Sequence, residues 1–182
     1  MRKPGSVGQP LPGVEIAILD DDDRALPIGD TGEIGVRGPN VMLGYHGLPE
    51  ETARALRNGW LHTGDVGRLD ADGFLYVVER KKDLIIRGGF NVYPREVEDV
   101  LYAHPAVAEA AVVGVRDALM GEEVCAFVAL KRGAAADAAA IIGFCQARLA
   151  KYKCPREVRF LPSLPKNPLG KILRKELRAL VG

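Results

Sequence analysis

The sequence has few of the residues that build disulfide frameworks, aromatic platforms or strong electrostatic fields. Its 182 residues include three cysteines and one tryptophan, and the formal net charge is +1. Cys125, Cys145 and Cys154 are odd in number and lack metal-type spacing, so we expect reduced, structural thiols in a cytoplasmic protein. A net charge near zero gives no overall attraction to nucleic acid or an acidic membrane. Neither is predicted as a partner, and any anion must be bound by local clusters.

Long apolar segments are lacking as well. The opening residues, MRKPGSVGQPLPG, contain no apolar core of a signal peptide. The apolar runs, such as 106–115, stay well below the ~20 residues of a membrane-spanning helix, so no transmembrane segment is predicted. With 47% hydrophobic and 27% charged residues, the composition is that of a globular protein able to form a core.

The first part of the chain, residues 1–81, has the pattern of a β-rich unit. Strands are predicted at 14–18 and 33–37, and a hairpin is predicted at 66–78 around a turn at 70–73. One helix is predicted to begin at Pro49, to use Leu56 for packing, and to end at Asn58 and Gly59.

From Lys82 onward the pattern changes to mixed α and β. Strands are predicted at 84–86, 107–115, 124–130 and 158–161, and helices begin at Pro94 and Arg174. The alanine-rich run from residue 134 continues at helical spacing to residue 149, which predicts one amphipathic helix. Gly88 and Gly89 follow a strand. They indicate a turn or bulge, or a place where the backbone closely approaches a ligand.

Three short motifs contain the candidate site residues: WLHTGD at 60–65, ERKKDLIIRGG at 79–89 and PKNPLGK at 165–171. A carboxylate at the end of a turn, such as Asp65, can accept hydrogen bonds from a ribose diol. A guanidinium such as Arg80 offers donors to ribose or phosphate oxygens. From spacing alone, a tight turn and a solvated charged loop explain the first two motifs better.

The third motif holds a lysine on a constrained loop. Two prolines and a glycine surround Lys171 ahead of a helix, where an ammonium group can act as a mobile point charge; an ordinary surface lysine is the alternative. Near Tyr152, basic residues that include Arg156 can grip phosphates through charge-assisted hydrogen bonds. A solvated helix end explains that cluster equally well.

In this order, the three motifs resemble the C-terminal portion of an acyl-CoA synthetase, a fatty-acid–CoA ligase of the adenylate-forming, AMP-binding enzyme superfamily. The phrases GFNVYPREVEDVL and HPAVAEAAVVGV strengthen the resemblance, which extends from Gly5 onward. It implies an α+β fold. Residues 1–81 would be the last β-subdomain of a large AMP-binding domain, part of a distorted β-barrel. Residues 82–182 would be a small, mobile, mixed α/β lid. Since the chain has no Gly/Ser/Thr-rich phosphate loop, we interpret it as part of an enzyme.

The resemblance also implies residue roles. Asp65 and Arg80 would hold the nucleotide ribose, Lys82 would be the hinge of the lid, and Lys171 would serve adenylation. The CoA-binding residues would be Gly88, Gly89, Tyr152 and Arg156. No metal ligand is expected in the chain, since those for Mg²⁺ would lie in the missing domain. Leu169 stands where the family often has a small residue, which puts the hydrogen bonding of that loop in question.

The implied reaction joins a carboxylic acid to ATP and then exchanges AMP for CoA, with acyl-CoA, AMP and pyrophosphate as products. The chain alone is expected to be inactive, and the surface left by the missing domain offers a route to self-association. Two alternatives remain open. One is a stand-alone module that binds CoA or a partner protein, and the other is an adenylating enzyme that loads a carrier protein.

Overall fold

The computed structural model describes residues 2–181 and divides into two compact units, Met1–Lys82 and Asp83–Gly182. Met1 and Gly182, the outermost residues of the predicted ranges 1–81 and 82–182, lie outside the described residues. Each unit contains a five-stranded sheet, one of them strongly curled, and the helices are few. The α+β fold class predicted from the sequence is therefore confirmed. Within residues 2–181, no helix has both the length and the apolar character needed to cross a membrane.

The first unit is an antiparallel sheet with one short helix. Its elements are β1 (Glu15–Leu19), β2 (Gly32–Arg37), α1 (Pro49–Ala55), β3 (Leu56–Arg57), β4 (Trp60–Leu69) and β5 (Leu75–Arg80). The long strand β4 pairs with β2 along one edge, and with β3 and then β5 along the other. The apolar core is small, with Ile18, Ile34 and Leu75 buried together.

The helix predicted to end at Asn58 and Gly59 is shorter than expected. It ends at Ala55, and Leu56 begins β3 opposite Leu61 instead of packing as a helical residue. Asn58 and Gly59 both have positive φ, 51° and 79°, and they connect β3 to β4. Asn-Gly is the preferred pair for a two-residue hairpin turn with positive φ at both positions. The signal that was read as a helix end therefore marks a hairpin.

The second unit surrounds the long strand β9. Its elements are β6 (Ile85–Arg87), β7 (Phe90–Val92), α2 (Pro94–Tyr102), β8 (Val107–Asp117), β9 (Gly121–Leu130), α3 (Ala138–Gln146), β10 (Glu157–Phe160) and α4 (Arg174–Ala179). Strand β8 pairs antiparallel with β9, and β10 pairs parallel to it. Strand β6 forms a hairpin with β7 and meets β9 at Gly121.

Both faces of the second sheet are buried. Successive strand residues point to opposite faces, so Val112 joins a core cluster with Leu101 of α2 and Ile141 of α3, while Val113 joins another with Leu177 of α4. Burial on both sides explains the nearly continuous apolar sequence of β8 and β9. Helix α3 begins later than the predicted residue 134, because the Asp137 side chain accepts a hydrogen bond from the Ala140 N–H and caps the first turn.

Candidate functional site

Asp65 and Arg80 form an ion pair across two neighbouring strands. They lie opposite each other in the register of β4 and β5, and Arg80 Nε is 3.0 Å from Asp65 Oδ1. Their side chains are 53% and 29% exposed, in the order Arg80 and Asp65. A partly open carboxylate beside guanidinium donors offers both acceptors and donors to a pair of hydroxyl groups. This chemistry fits a ribose.

Gly64, which precedes Asp65 on β4, belongs to a β-bulge and not to the turn predicted from the sequence. The pairing of β2 with β4 shifts between Glu33 and Gly35, and Gly64 has a φ of +71°, which glycine adopts at little cost. The Thr63 hydroxyl donates to the Ile34 carbonyl over 2.9 Å and accepts from the Asp65 N–H. A bulge inside a strand changes the direction of the side chains that follow it, so the bulge directs Asp65.

A buried carboxylate lies next to the bulge. Glu33 accepts a hydrogen bond from the Gly64 N–H through Oε1, at 3.2 Å, and from Lys81 Nζ through Oε2, at 3.1 Å. His62 Nδ1 lies 3.3 Å from the same Oε2. Burial acts to raise the pKa of Glu33, but the contacts with Lys81 and His62 outweigh it and lower the pKa below its usual value. Glu33 is therefore held as a carboxylate.

Sequence reasoning missed this cluster, because it assigned no role to His62 and did not single out Glu33. The ring of His62 is almost fully buried, with Nε2 3.6 Å from Asp23 Oδ1 on the side away from Glu33. The only available signal was an ionisable residue inside each of two strands, Glu33 in β2 and His62 in β4. An open cleft of about 410 Å³ borders the cluster and is lined in part by Glu33, His62, Thr63 and Gly64.

Lys82 lies in a 3₁₀ turn, Lys81–Asp83, at the boundary between the two units. The preceding residue, Lys81, pairs with Glu33 and Asp21 of the first unit. The following residue, Asp83, is buried in the second unit and accepts from Arg178 Nη2 at 2.7 Å. The Lys82 side chain is exposed between these two anchored neighbours. Such a position suits a hinge that changes its backbone dihedral angles, and the hinge role stays a prediction.

Gly88 and Gly89 form the turn of the β6–β7 hairpin. Their φ angles are +56° and +82°, so the turn is of the type that requires left-handed residues at both positions. The Gly88 N–H donates to the Met120 carbonyl over 2.8 Å, and a Cβ on Gly88 would lie only 2.6 Å from Met120 Cε. A Cβ on Gly89 would meet nothing within 4 Å. The turn is therefore observed, and the space beside Gly89 is open to a ligand.

Tyr152 and Arg156 belong to the same cluster as the glycine turn. The rings of Phe90 and Tyr152 have centroids 4.9 Å apart, and Arg87 Nη1 donates to the Tyr152 carbonyl at 2.9 Å. Arg87 and Arg156 both contact Glu123, at 2.7 and 3.2 Å. Tyr152 lies in a 3₁₀ turn, Lys151–Lys153, rather than at the end of a helix. The structure thus brings together all four residues predicted to bind CoA.

Lys171 is presented by a tight loop that Asn167 closes. Asn167 Oδ1 accepts from the N–H groups of Lys171 and Leu169, at 2.8 and 3.1 Å, and the Asn167 N–H donates to the Lys171 carbonyl at 2.9 Å. The Leu169 side chain is 93% exposed, so its bulk removes none of these hydrogen bonds. The loop is closed by these hydrogen bonds of Asn167, to which the Leu169 side chain does not contribute.

The Lys171 loop lies away from the cluster of the glycine turn. Lys166 pairs with Glu109 near the start of β8, and this ion pair lowers the pKa of Glu109. Gly88 instead contacts Met120, just beyond the far end of β8. The two groups of predicted residues in the second unit are therefore separated by the length of this strand.

Comparisons with known families identify the superfamily of the chain. Residues 96–171 match the family model of the AMP-binding enzyme C-terminal domain, and residues 1–46 match that of the AMP-binding enzyme. The chain belongs to the adenylate-forming, AMP-binding enzyme superfamily, and it corresponds to the C-terminal portion of an acyl-CoA synthetase. The resemblance inferred from the three motifs is confirmed.

Two curated relatives illustrate the similarity. The 2-succinylbenzoate–CoA ligase of Geobacillus kaustophilus is 54% identical over 181 residues, which cover 100% of this chain and 37% of the ligase. The long-chain-fatty-acid–CoA ligase of Bacillus subtilis is 52% identical over 178 residues, covering 97% of this chain and 32% of the ligase. The chain therefore spans about a third of the length of the relatives it matches.

A solved structure shows the same fold. The crystal structure of ATP-bound MatB from Rhodopseudomonas palustris superposes with a TM-score of 0.92 at 43% identity. The match covers 99% of this chain and 36% of that chain. The similarity to this structure therefore extends to the sequence as well as the fold, over nearly the whole chain.

Proposed function

We propose that this chain acts as the C-terminal part of an ATP-dependent acyl-CoA ligase, which converts a carboxylic acid, ATP and CoA into acyl-CoA, AMP and pyrophosphate. The partly open pair of Asp65 and Arg80 is the observation on which the proposal depends. Extensive similarity to ligases named for two different acids supports the reaction class. The acid itself is left unassigned.

We also propose how the chain divides between the parts of such a ligase. Residues 1–81 act as the last β-subdomain of the large AMP-binding domain, and residues 82–182 act as the mobile C-terminal domain. The division of the chain after Lys82 supports this assignment. Rotation about Lys82 would then serve two half-reactions in turn, because a mobile domain can complete one catalytic arrangement at a time.

In the first half-reaction, a carboxylate oxygen of the acid attacks the α-phosphorus of ATP, and pyrophosphate leaves. Asp65 would accept hydrogen bonds from the ribose hydroxyl groups while Arg80 donates to ribose oxygens. The ammonium of Lys171 would stabilise the negative charge that develops on the acid and phosphate oxygens. The exposed position of Lys171 on a loop closed by Asn167 supports this role.

In the second half-reaction, the sulfur of CoA attacks the acyl carbonyl carbon, and AMP leaves. The open space beside Gly89, in the turn that it forms with Gly88, would allow close approach of the pantetheine arm. Tyr152 and Arg156 would contact the nucleotide end of CoA through ring stacking and charge-assisted hydrogen bonds. Their proximity to the glycine turn supports a single CoA site.

Mg²⁺ accompanies ATP in the proposed reaction, and we propose that its ligands lie in a part of the ligase outside this chain. Within residues 2–181, no group of three or more His, Cys, Asp or Glu residues is arranged to hold a metal ion. We also propose that the ligase is cytoplasmic, that this chain alone is inactive, and that the surface facing the rest of the ligase can self-associate.

The proposal can be tested by restoring the rest of a ligase. The chain would be joined to the N-terminal two thirds of the 2-succinylbenzoate–CoA ligase relative, and pyrophosphate release would be measured with acid, ATP and Mg²⁺. We expect turnover from the chimera and none from the chain alone. Asp65→Asn and Arg80→Met should each raise the KM for ATP about tenfold, the loss expected for a charge-assisted hydrogen bond.

The matched control is Arg37→Met, which removes an exposed arginine of the same sheet that pairs with Glu15. It should leave the KM for ATP unchanged. Turnover by the chain alone, or an ATP KM indifferent to Asp65→Asn and Arg80→Met, would contradict the proposal. Submicromolar binding of CoA to the chain alone, measured by calorimetry, would instead favour a stand-alone binding module.

A further inference from the structure

We propose that Glu33 is a positioning residue of the nucleotide site, because its one buried carboxylate binds the residues that adjoin Asp65 and Arg80 in sequence. The inference rests on the proposed function, since it assigns the support of the ribose-binding pair. Glu33 lies on β2, outside all three sequence motifs. Its role is to act through its neighbours, not to touch the nucleotide.

The register of β4 and β5 explains why one carboxylate reaches a neighbour of Asp65 and a neighbour of Arg80. Asp65 lies opposite Arg80, so Gly64 precedes the first member of the pair and Lys81 follows the second. Glu33 Oε1 accepts from the Gly64 N–H at 3.2 Å, and Oε2 accepts from Lys81 Nζ at 3.1 Å. The two oxygens of Glu33 therefore bind Gly64, which precedes Asp65 on β4, and Lys81, which follows Arg80 just beyond the end of β5.

The carboxylate is buried and surrounded by donors. Glu33 is 7% exposed, and Oε2 also lies 3.3 Å from His62 Nδ1 and 3.7 Å from Arg57 Nη2. A buried charge persists when it is paired, and removing one partner leaves the others uncompensated. Glu33 therefore cannot be replaced by a neutral side chain without disturbing Lys81 and the bulge.

A second carboxylate fixes the far side of this arrangement. Asp23 receives two hydrogen bonds from Arg57, both at 2.9 Å, and its Oδ1 lies 3.6 Å from His62 Nε2. The imidazole of His62 is thus enclosed between Asp23 and Glu33. Glu33 thus belongs to one cluster that also contains His62, Arg57 and Asp23.

A specific functional consequence follows from this geometry. The bulge at Gly64 directs Asp65, so losing the Glu33 hydrogen bond would let Asp65 shift relative to Arg80. A shift in the ribose-binding pair should weaken ATP binding and leave CoA binding almost unchanged, because the predicted CoA residues lie in the second unit. A residue that is only structural would not produce this selectivity.

The experiment uses the chimeric ligase described above and three substitutions in one ion pair, one at Glu33 and two at Lys81. Glu33→Gln retains an oxygen for the Gly64 N–H but removes the charge that Lys81 requires. Lys81→Met removes the positive charge of the pair, which lies at the protein surface. Lys81→Arg keeps that charge. We expect Glu33→Gln and Lys81→Met to raise the KM for ATP about tenfold, with the KM for CoA changed less than about twofold. Lys81→Arg should restore most of the loss.

Glu15→Gln is the matched control, since Glu15 is an exposed carboxylate of the same sheet that pairs with an arginine. It should leave both KM values unchanged. The inference is overturned if Glu33→Gln and Lys81→Met leave the KM for ATP unchanged, or if they impair ATP and CoA use equally. If Glu33→Gln does not fold, the contrast between Lys81→Met and Lys81→Arg decides the question.

A second measurement separates this inference from the proposed function. Amide hydrogen exchange at Gly64 and Asp65 can be followed in the 182-residue chain itself. Glu33→Ala should speed exchange at these two amides about tenfold or more, while amides of β1 and the second unit keep their protection. A wild-type chimera without turnover would refute the proposed function alone. Unchanged exchange at Gly64 would refute the positioning role alone.

Discussion

The two units of the chain differ in the interactions that stabilise each of them internally. The second unit, Asp83–Gly182, has apolar core clusters on both faces of its sheet, of thirteen and six buried residues. The first unit, Met1–Lys82, has one cluster of three and buries the ionisable side chains of Glu33, His62 and Glu79, while the second buries those of Asp83 and Glu123. Both units bury charged groups, but the first has far less apolar core, so its candidate ribose site depends more on its charge network.

This difference has consequences for function. A densely packed sheet resists deformation, so the second unit can carry the Lys171 loop and the glycine turn as one rigid body. A charge network is directional and loses its geometry when one member is removed. The first unit should therefore be most sensitive to loss of its buried charged groups, and the second unit to loss of its large buried apolar side chains.

The largest expected effect is on stability. Phe127 is fully buried in the core beneath α4, and Phe127→Ala should lower the free energy of unfolding of the second unit by about 3–5 kcal/mol. Ile34→Ala in the small core of the first unit should cost about 2 kcal/mol, the low end for such a change. Thermal unfolding followed by amide signals from each unit would measure both. Equal losses would remove the contrast between the two cores.

The next effect is on catalysis. Lys171→Ala in the chimeric ligase should lower acyl-adenylate formation by about 10²–10³, the loss typical of one preorganised charge. Conversion of added acyl-adenylate and CoA to thioester should persist. Lys166→Ala is the control from the same loop, because Lys166 is occupied by its ion pair with Glu109. A Lys171→Ala enzyme with undiminished adenylation would show that the second unit contributes no charge to that step.

A smaller effect concerns alkaline pH and distinguishes the two units directly. Burial raises the pKa of Cys125 and of Cys145 to about 11, against ~8.5 in an unfolded chain. The folded unit keeps protons that the unfolded chain releases, so this stability is complete below about pH 8.5 and is lost as the pH rises toward 11. The first unit contains no cysteine. Melting temperatures from pH 8 to 11 should fall in the second unit, and Cys125→Ala should reduce the slope.

The first unit should show the opposite dependence, at acid pH. The hydrogen bond from Lys3 lowers the pKa of Asp70 to about 2, against ~3.9 when unfolded. The resulting stability is present above about pH 4 and is lost as the pH falls toward 2. Asp70→Asn should flatten the acid side of the melting curve of the first unit. An unchanged curve would mean that Lys3 and Asp70 do not stabilise the folded state.

The smallest effect is expected at Leu169, whose side chain is almost fully exposed. Leu169→Ala should change the free energy of unfolding by no more than about 0.5 kcal/mol and should leave adenylation intact. Asn167→Ala removes the acceptor that closes the loop and should lower adenylation clearly. If Leu169→Ala were the more damaging change, the hydrogen bonds of Asn167 would not be what positions Lys171.

Much of the second unit could be predicted from the sequence, because its signals are local. Pro94 begins α2 and Arg174 begins α4, as expected, and the apolar runs of β8 and β9 are strands. The errors occurred where one local signal has two meanings. Asn58 and Gly59 form a hairpin turn and not a helix end, and Gly64 produces a bulge within a strand and not a turn. Tertiary pairing decided between these meanings.

The sequence alone determined the class of protein and the candidate residues of its site, because the three motifs are contiguous stretches whose order can be read directly. It also determined that the apolar runs at 107–115 and 124–130 are strands. Only the tertiary structure decided that Glu33 binds both Gly64 and Lys81, and that His62 lies between Asp23 and Glu33. These residues are far apart in the chain. Antiparallel pairing places β2 along one side of β4 and β5 along the other, so Glu33 can reach Lys81 across β4.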